Sequence, residues 1–70
     1  MIPLTVAPIG AENVIRRIGG SEEVKRHLES LGFTVGGTVT VINTLGGSVI
    51  VNVKESRIAI GKDMATKIMI

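Results

Sequence analysis

The stretch from residue 38 to residue 53 constrains the fold most, because it contains two segments of period two around a glycine pair. TVTVIN at residues 38–43 and SVIVNV at residues 48–53 combine β-branched and polar residues in the alternation typical of half-buried strands. TLGG at residues 44–47 joins them, and its two glycines can take the positive φ angles that a tight turn needs. The pattern therefore predicts an antiparallel hairpin. One face should carry Val39, Val41, Val49, Val51 and Val53, and the wetter face Thr38, Thr40 and Asn52.

A change of period after a Gly-Gly pair predicts one amphipathic helix over about residues 21–31. Ser21 is a good N-cap, and two glutamates follow it at the positive end of the helix dipole. Apolar residues then fall at i, i+4 and i+7, namely Val24, Leu28 and Leu31. Gly32 is the expected left-handed residue after the helix, and Phe33 is expected to fold back onto Leu28.

The remaining segments predict further short strands, over residues 13–18, 57–60 and 67–70. Two prolines make residues 1–10 an extended lead-in with at most an edge pairing, and residues 61–65 are expected to form a single turn. A short turn is also expected at residues 54–56. The sequence thus predicts a mainly β fold, a small, partly closed antiparallel barrel of about five strands with one inserted helix. Residues 1–70 are expected to form one domain.

Composition excludes several classes of protein. The chain has 70 residues and no Cys, which removes disulfides and thiolate zinc sites as sources of stability. No apolar stretch approaches the roughly 20 residues that span a bilayer. The N-terminus also lacks the basic and apolar regions of a secretory signal. We therefore expect a cytoplasmic protein with no membrane insertion.

The residues that enzymes use are also scarce. There is no Cys nucleophile, the single His27 has no obvious carboxylate-and-serine arrangement around it, and no glycine-rich phosphate loop before a helix ends in Lys-Ser or Lys-Thr. The turn before the predicted helix could hold an anion on its free N–H groups, but Glu22 and Glu23 favour a plain capping turn. We expect neither catalysis nor a cofactor.

One pair of residues has the spacing of metal ligands. Glu23 and His27 lie at i and i+4 on one flank of the predicted helix, and Glu55 or Asp63 could add a third ligand. The alternative is that His27 packs beside Leu31 on the rim of the apolar stripe with its tip in water. The second interpretation is favoured, so no metal site is predicted.

Nucleic-acid binding requires a basic stripe, usually with stacking aromatic residues. The net charge is only +2, and Phe33 is the sole aromatic residue and is assigned to the core. Within the predicted first strand, Arg16 and Arg17 should point to opposite faces, and Arg26 lies on the helix. The sequence therefore predicts no nucleic-acid partner.

Three apolar residues are candidates for contact with a protein partner. Leu45 stands beside the glycines of the hairpin turn, Met64 in the short turn and Met69 near the C-terminus. Methionine adapts well to partner surfaces, although either methionine could instead complete the aliphatic core. Leu45, at the tip of a hairpin, is the residue for which exposure and a docking role are most expected.

The order of these segments is similar to that of a known family. LESLGFTVG at residues 28–36, followed by Val39 and Val41, resembles the Leu-x-x-Leu-Gly-(Leu or Phe)-x-x-Gly core of FeoA domains. RIAI at residues 57–60, then Ala65 and IMI at residues 68–70, resembles the end of the same family. PLT at residues 3–5 and Gly10 also fit. Val35 departs from the family where Pro is often found, and Met64 where Leu is common.

The resemblance implies an SH3-like barrel that works with FeoB, a membrane ferrous-iron transporter with a cytoplasmic nucleotide-hydrolysing domain. We therefore expect a non-catalytic accessory or regulatory protein of ferrous iron uptake that docks on FeoB, with a weak homo-oligomer left open. Two alternatives remain. One is a free-standing relative of the SH3-like C-terminal domain of iron-dependent repressors, and the other is a small RNA-binding barrel.

Overall fold

The computed structural model describes residues 1–70 and arranges them as two antiparallel sheets around an aliphatic core. One sheet has the strand order β1-β3-β4-β5 and the other pairs β2 with β6. The strands are β1 Glu12–Val14, β2 Arg17–Ile18, β3 Thr38–Leu45, β4 Ser48–Val53, β5 Ser56–Gly61 and β6 Ile68–Met69. The helices are α1 Glu22–Ser30 and the single turn α2 Lys62–Ala65, and a 3₁₀ turn covers Leu4–Val6. The mainly β fold with one inserted helix is confirmed, with six short strands where about five were predicted.

The predicted hairpin forms the centre of the larger sheet. β3 and β4 pair with Val39 opposite Val53 and Val41 opposite Val51. All five valines of the predicted inner face are buried, while Thr38 is exposed and Thr40 and Asn52 are half-buried. β5 continues the meander after a turn at Lys54 and Glu55, both of which take positive φ angles as a two-residue hairpin turn requires. The alternation in the sequence therefore identified the core face of this sheet.

The hairpin turn is tighter than predicted. Thr44 and Leu45 remain in β3, opposite Val49 and Ser48, so only Gly46 and Gly47 form the connection. Gly46 takes a φ angle of +56°, a region that side chains with a Cβ disfavour. The prediction of a connection over residues 44–47 was therefore too long by two residues.

Helix α1 begins and ends as its sequence predicts. The hydroxyl of Ser21 accepts a hydrogen bond from the backbone N–H of Val24 at 3.3 Å. At the other end Gly32 has a φ of +109°, and its N–H donates to the carbonyl of Glu29 at 3.0 Å. The N–H of Phe33 donates to the carbonyl of Leu28 at 3.0 Å, which completes a Schellman motif. Leu28 and Phe33 are fully buried, so this end of α1 is fixed to the core.

The single first strand predicted over residues 13–18 is wrong, because the chain changes sheet at Ile15. β1 pairs with β3, whereas β2 pairs with β6 in the second sheet. Between them the N–H of Ile15 donates to the carbonyl of Gly37, and the N–H of Gly36 donates to the carbonyl of Ile15, both at 2.8 Å. Ile15 is fully buried at this crossing. Its burial depends on pairing with a loop, which explains why residues 13–18 do not alternate cleanly.

The N-terminal lead-in closes the second sheet. Ile2 and Ile70 exchange backbone hydrogen bonds of 3.0 and 2.8 Å, and Pro3 forms an isolated bridge with Met69. This pairing confirms the predicted edge contact. The sequence did not predict the 3₁₀ turn that follows, which places Leu4 fully inside the core. The last strand is also shorter than predicted, because Lys67 belongs to the turn after α2.

The core contains fourteen buried residues, all of them apolar. Residues from both sheets, from α1 and α2 and from the 3₁₀ turn belong to this one cluster. Neither helix has the length and apolar character required to cross a lipid bilayer.

Candidate functional site

The structure does not gather the candidate metal ligands. Glu23 and His27 are both exposed on α1, Glu55 lies in the turn between β4 and β5, and Asp63 is exposed on α2. No group of three or more His, Cys, Asp or Glu side chains meets in a geometry that could hold a metal ion. The third ligand considered from the sequence therefore does not join the Glu23–His27 pair.

Leu45 is exposed because β3 contains a bulge. Val41 pairs with Val51, but the next pair along the strands is Asn43 with Ile50, so β3 has one extra residue at Ile42. In a regular strand without a bulge, Leu45 would fall four positions after the buried Val41 and therefore on the same face. The bulge reverses the alternation, and the Leu45 side chain, 62% exposed, lies on the outer face of the sheet.

Other apolar residues lie near Leu45 on this outer face. Leu45 pairs with Ser48, and Ser48 pairs in turn with Gly61, neither of which has a large side chain. The neighbouring outward row includes Ile50, half-buried, and Ala59, exposed. Ile50 is the diagonal neighbour of Leu45 and lies within reach of its side chain, and Ala59 lies beside Ile50 on the next strand. Leu45, Ile50 and Ala59 together form what we call the hairpin patch.

The two candidate methionines are less exposed than Leu45. Met64 is half-buried on α2 and packs against the core cluster. Met69 is half-buried in β6, where it pairs with Arg17 and bridges to Pro3. α2, which contains Met64, begins at Lys62. The N–H of Lys62 donates to the carbonyl of Gly47 in the hairpin turn at 2.9 Å. α2 is therefore tied to the hairpin turn, whereas Met69 lies in the other sheet.

A cleft of about 380 Å³ opens beside α1. It is lined by Arg16, Arg17, Ile18, Lys25, Glu29, Thr34 and Val35. The expectation that Arg16 and Arg17 point away from each other was wrong, since both line this cleft. The physical reason is the crossing between sheets at Ile15: only Arg17 belongs to a strand, so the alternation assumed for residues 13–18 does not hold across the pair.

The sequence contained one signal that could have identified this cleft. Two adjacent arginines precede the helix cap, and Lys25 lies in the first turns of that helix. The residues that complete the cleft, Thr34 and Val35, come from the loop that follows α1. Only the return of this loop to pair with Ile15 brings them beside the arginines.

Comparison with known proteins identifies relatives along the whole chain. The family model of the FeoA domain matches residues 2–70. A protein of Methanocaldococcus jannaschii named Fe(2+) transport protein A is 37% identical over 70 residues, which cover all of this chain and 85% of that protein.

Solved structures show the same fold. The crystal structure of an iron uptake regulatory protein, FeoA, superposes with a TM-score of 0.88 at 32% identity and covers 97% of this chain and 90% of that one. The FeoA of Stenotrophomonas maltophilia, solved with zinc and described as a prokaryotic SH3 domain protein, gives a TM-score of 0.84 at 21% identity. That match covers 99% of this chain and 88% of the other. The two sheets and inserted helix therefore form an SH3-like fold.

Proposed function

The chain belongs to the FeoA domain family, and on that premise we propose that it is a cytoplasmic accessory protein of ferrous iron uptake. It acts by docking on the membrane transporter FeoB and performs no chemistry of its own. The match to the family over residues 2–70 carries this proposal, together with a relative of 37% identity that is named for Fe(2+) transport.

The geometry of the hairpin patch supports a docking role. A leucine with a 62% exposed side chain at the end of a sheet leaves apolar surface in water that a partner can cover. β3 contains an extra residue that places Leu45 outward, so its exposure follows from the backbone and not from a chance rotamer. We therefore propose Leu45 as the centre of the contact with FeoB and Met64, on the adjoining α2, as a contributor at its edge.

Met69 has a different position in this proposal. It lies in the second sheet and contributes to closing the barrel through its pairing with Arg17. Substitution of Met69 should therefore lower stability more than it weakens docking. Loss of FeoB recovery with unchanged stability would instead place the contact on the second sheet.

The test is co-purification of detergent-solubilised FeoB with the tagged full-length chain. Leu45→Asp should reduce the recovered transporter by about tenfold or more, because a carboxylate would be desolvated in an apolar contact. Val14→Asp is the matched control. Val14 is 46% exposed and pairs with Thr38, so it lies on the same outer face at the far end of β3.

Both variants replace exposed residues, so circular dichroism should show an unchanged fold for each. Equal recovery of FeoB with Leu45→Asp and with the unaltered chain would contradict the docking site. Failure of the unaltered chain to retain FeoB at any protein concentration tested would contradict the docking function itself.

A further inference from the structure

The cleft beside α1 gathers cations at the opposite end of β3 from the hairpin patch. We propose that it binds a short acidic and aliphatic peptide segment of a protein partner. Thr34 and Val35 precede β3 and Leu45 ends it, so the two surfaces are separated by roughly 20 Å along the strand. This inference goes beyond the docking on FeoB and does not depend on that transporter.

The charge of the cleft is the first argument. Three of its lining residues are cations, Arg16, Arg17 and Lys25, and one is a carboxylate, Glu29. The whole chain has eight lysines and arginines against six acidic residues. The five cations and five carboxylates outside the cleft therefore cancel, and the formal net charge of +2 belongs entirely to the cleft. Such a local excess attracts an anionic ligand.

The donors of the cleft are available to a ligand. Arg16 and Arg17 are exposed, and none of the side-chain hydrogen bonds in the structure involves either guanidinium group or the ammonium group of Lys25. The backbone beneath them is fixed, since the N–H of Arg16 donates to the carbonyl of Met69 at 2.8 Å. Two neighbouring guanidinium forks on a fixed backbone suit carboxylates, which they can bind in a bidentate geometry.

The apolar residues of the cleft favour a peptide over a simple anion. Val35 is 64% exposed at its rim, and Ile18 contributes to its wall from β2. A segment that alternates acidic and aliphatic residues could place carboxylates on the arginines and cover Val35 in the same pose. The volume of about 380 Å³ lies in the range of small-ligand sites, so it accommodates a few residues of an extended segment.

The same features disfavour RNA as the occupant. Single-stranded RNA is held by a long basic groove and by aromatic residues that stack on its bases. The only aromatic residue of the chain, Phe33, is fully buried, so no base can stack on it. A short acidic segment needs neither a long groove nor a stacking surface.

The experiment is a titration of the ¹⁵N-labelled full-length chain followed by amide NMR shifts. The probe is an acetylated and amidated peptide of sequence Asp-Leu-Asp-Leu-Asp, and its control replaces each Asp by Asn. We expect shifts confined to residues 16–18, 25–29 and 34–35. The acidic peptide should bind about tenfold or more tightly than the neutral one, and its affinity should fall as salt is added.

Substitutions within the cleft should move the affinity in both directions. Arg17→Gln should weaken binding of the acidic peptide by about tenfold, because it removes a charged donor. Glu29→Gln should tighten it by about threefold, because it removes the one carboxylate that repels the ligand. Arg57→Gln, an exposed arginine on the outer face of β5, should leave the affinity unchanged.

Three results would overturn the proposal. The first is equal affinity for the acidic and neutral peptides, and the second is shifts centred on the hairpin patch. The third is tighter binding of an eight-residue uridine oligomer at the same amides, which would assign the cleft to nucleic acid. Leu45→Asp should leave peptide binding unchanged, so loss of FeoB docking and loss of peptide binding are separate outcomes.

Discussion

The meander β3-β4-β5 and the β2-β6 sheet contribute to one core, but their sequences specify them in different ways. In the meander, strands of six to eight residues carry their own alternation, and two-residue turns fix which residues pair. In the other sheet each strand has two residues, and its pairing joins residues fifty or more positions apart. Local pattern therefore determines the first region, while the second forms only when distant segments meet on a shared core.

The largest effect predicted from this comparison follows deletion of residues 68–70. The deletion takes out Ile68 and Ile70, both buried, together with every partner of β2. Loss of one buried Ile costs about 2–5 kcal/mol, and a domain of this size rarely has more than about 3–5 kcal/mol in total. We expect the whole chain, meander included, to lose its cooperative thermal transition by circular dichroism.

The meander would stay folded in the truncated chain if its three strands could form a stable sheet without the rest of the core. Dispersed amide signals retained for residues 38–61 in the NMR spectrum of the truncated chain would contradict a shared core. Removal of Met1 alone, which is 70% exposed, is the control and should leave the signals of residues 38–61 unchanged.

A smaller effect is expected from the hairpin turn of the meander. Gly46 takes a φ of +56° with open space around it, so Gly46→Ala meets no clash but forces a residue with a Cβ into the left-handed region. This should lower the free energy of unfolding by about 1–2 kcal/mol, measured by urea denaturation. Gly47 also faces open space but has no such φ.

Gly47→Ala is therefore the matched control. It should leave stability unchanged or raise it by up to about 1 kcal/mol, because alanine reduces the entropy of the unfolded chain. Equal losses for the two variants would show that the turn does not fix the strand register in the way described.

The smallest predicted effect concerns the start of α1. In the sequence this helix lies between β2 of one sheet and β3 of the other, and its ends are set by neighbouring residues. Ser21→Ala removes the hydroxyl that accepts from the N–H of Val24 and should cost about 1 kcal/mol. Ser30→Ala, at the other end of the helix, removes a hydroxyl that only donates back to the carbonyl of His27, and should change the free energy of unfolding by no more than about 0.5 kcal/mol. A loss of unfolding free energy for Ser30→Ala as large as that for Ser21→Ala would contradict capping by Ser21 as the cause.

The same contrast explains which features the sequence predicted. Ser21, Gly32 and the inner valines act through neighbours within a few positions, so their roles follow from spacing. Ile15 and Leu4 reach the core through contacts with a distant loop or terminus, and no periodicity marks them.

The candidate sites divide in the same way. Leu45 could be proposed from its place beside the turn, but its outward face depends on the bulge at Ile42, which the alternation of TVTVIN does not reveal. The cleft was not predicted, because Arg16 and Arg17 were assigned to one regular strand. A residue that leaves one sheet for another breaks the alternation on which that assignment depended.

The most direct test of the account is ferrous iron uptake in a host strain lacking the gene for this chain. The initial rate of radiolabelled Fe²⁺ uptake is measured after complementation with the unaltered chain, Leu45→Asp or Val14→Asp, at equal protein levels. Action by contact through the hairpin patch predicts that Leu45→Asp fails to restore uptake while Val14→Asp restores it fully. Full restoration by Leu45→Asp would contradict the account.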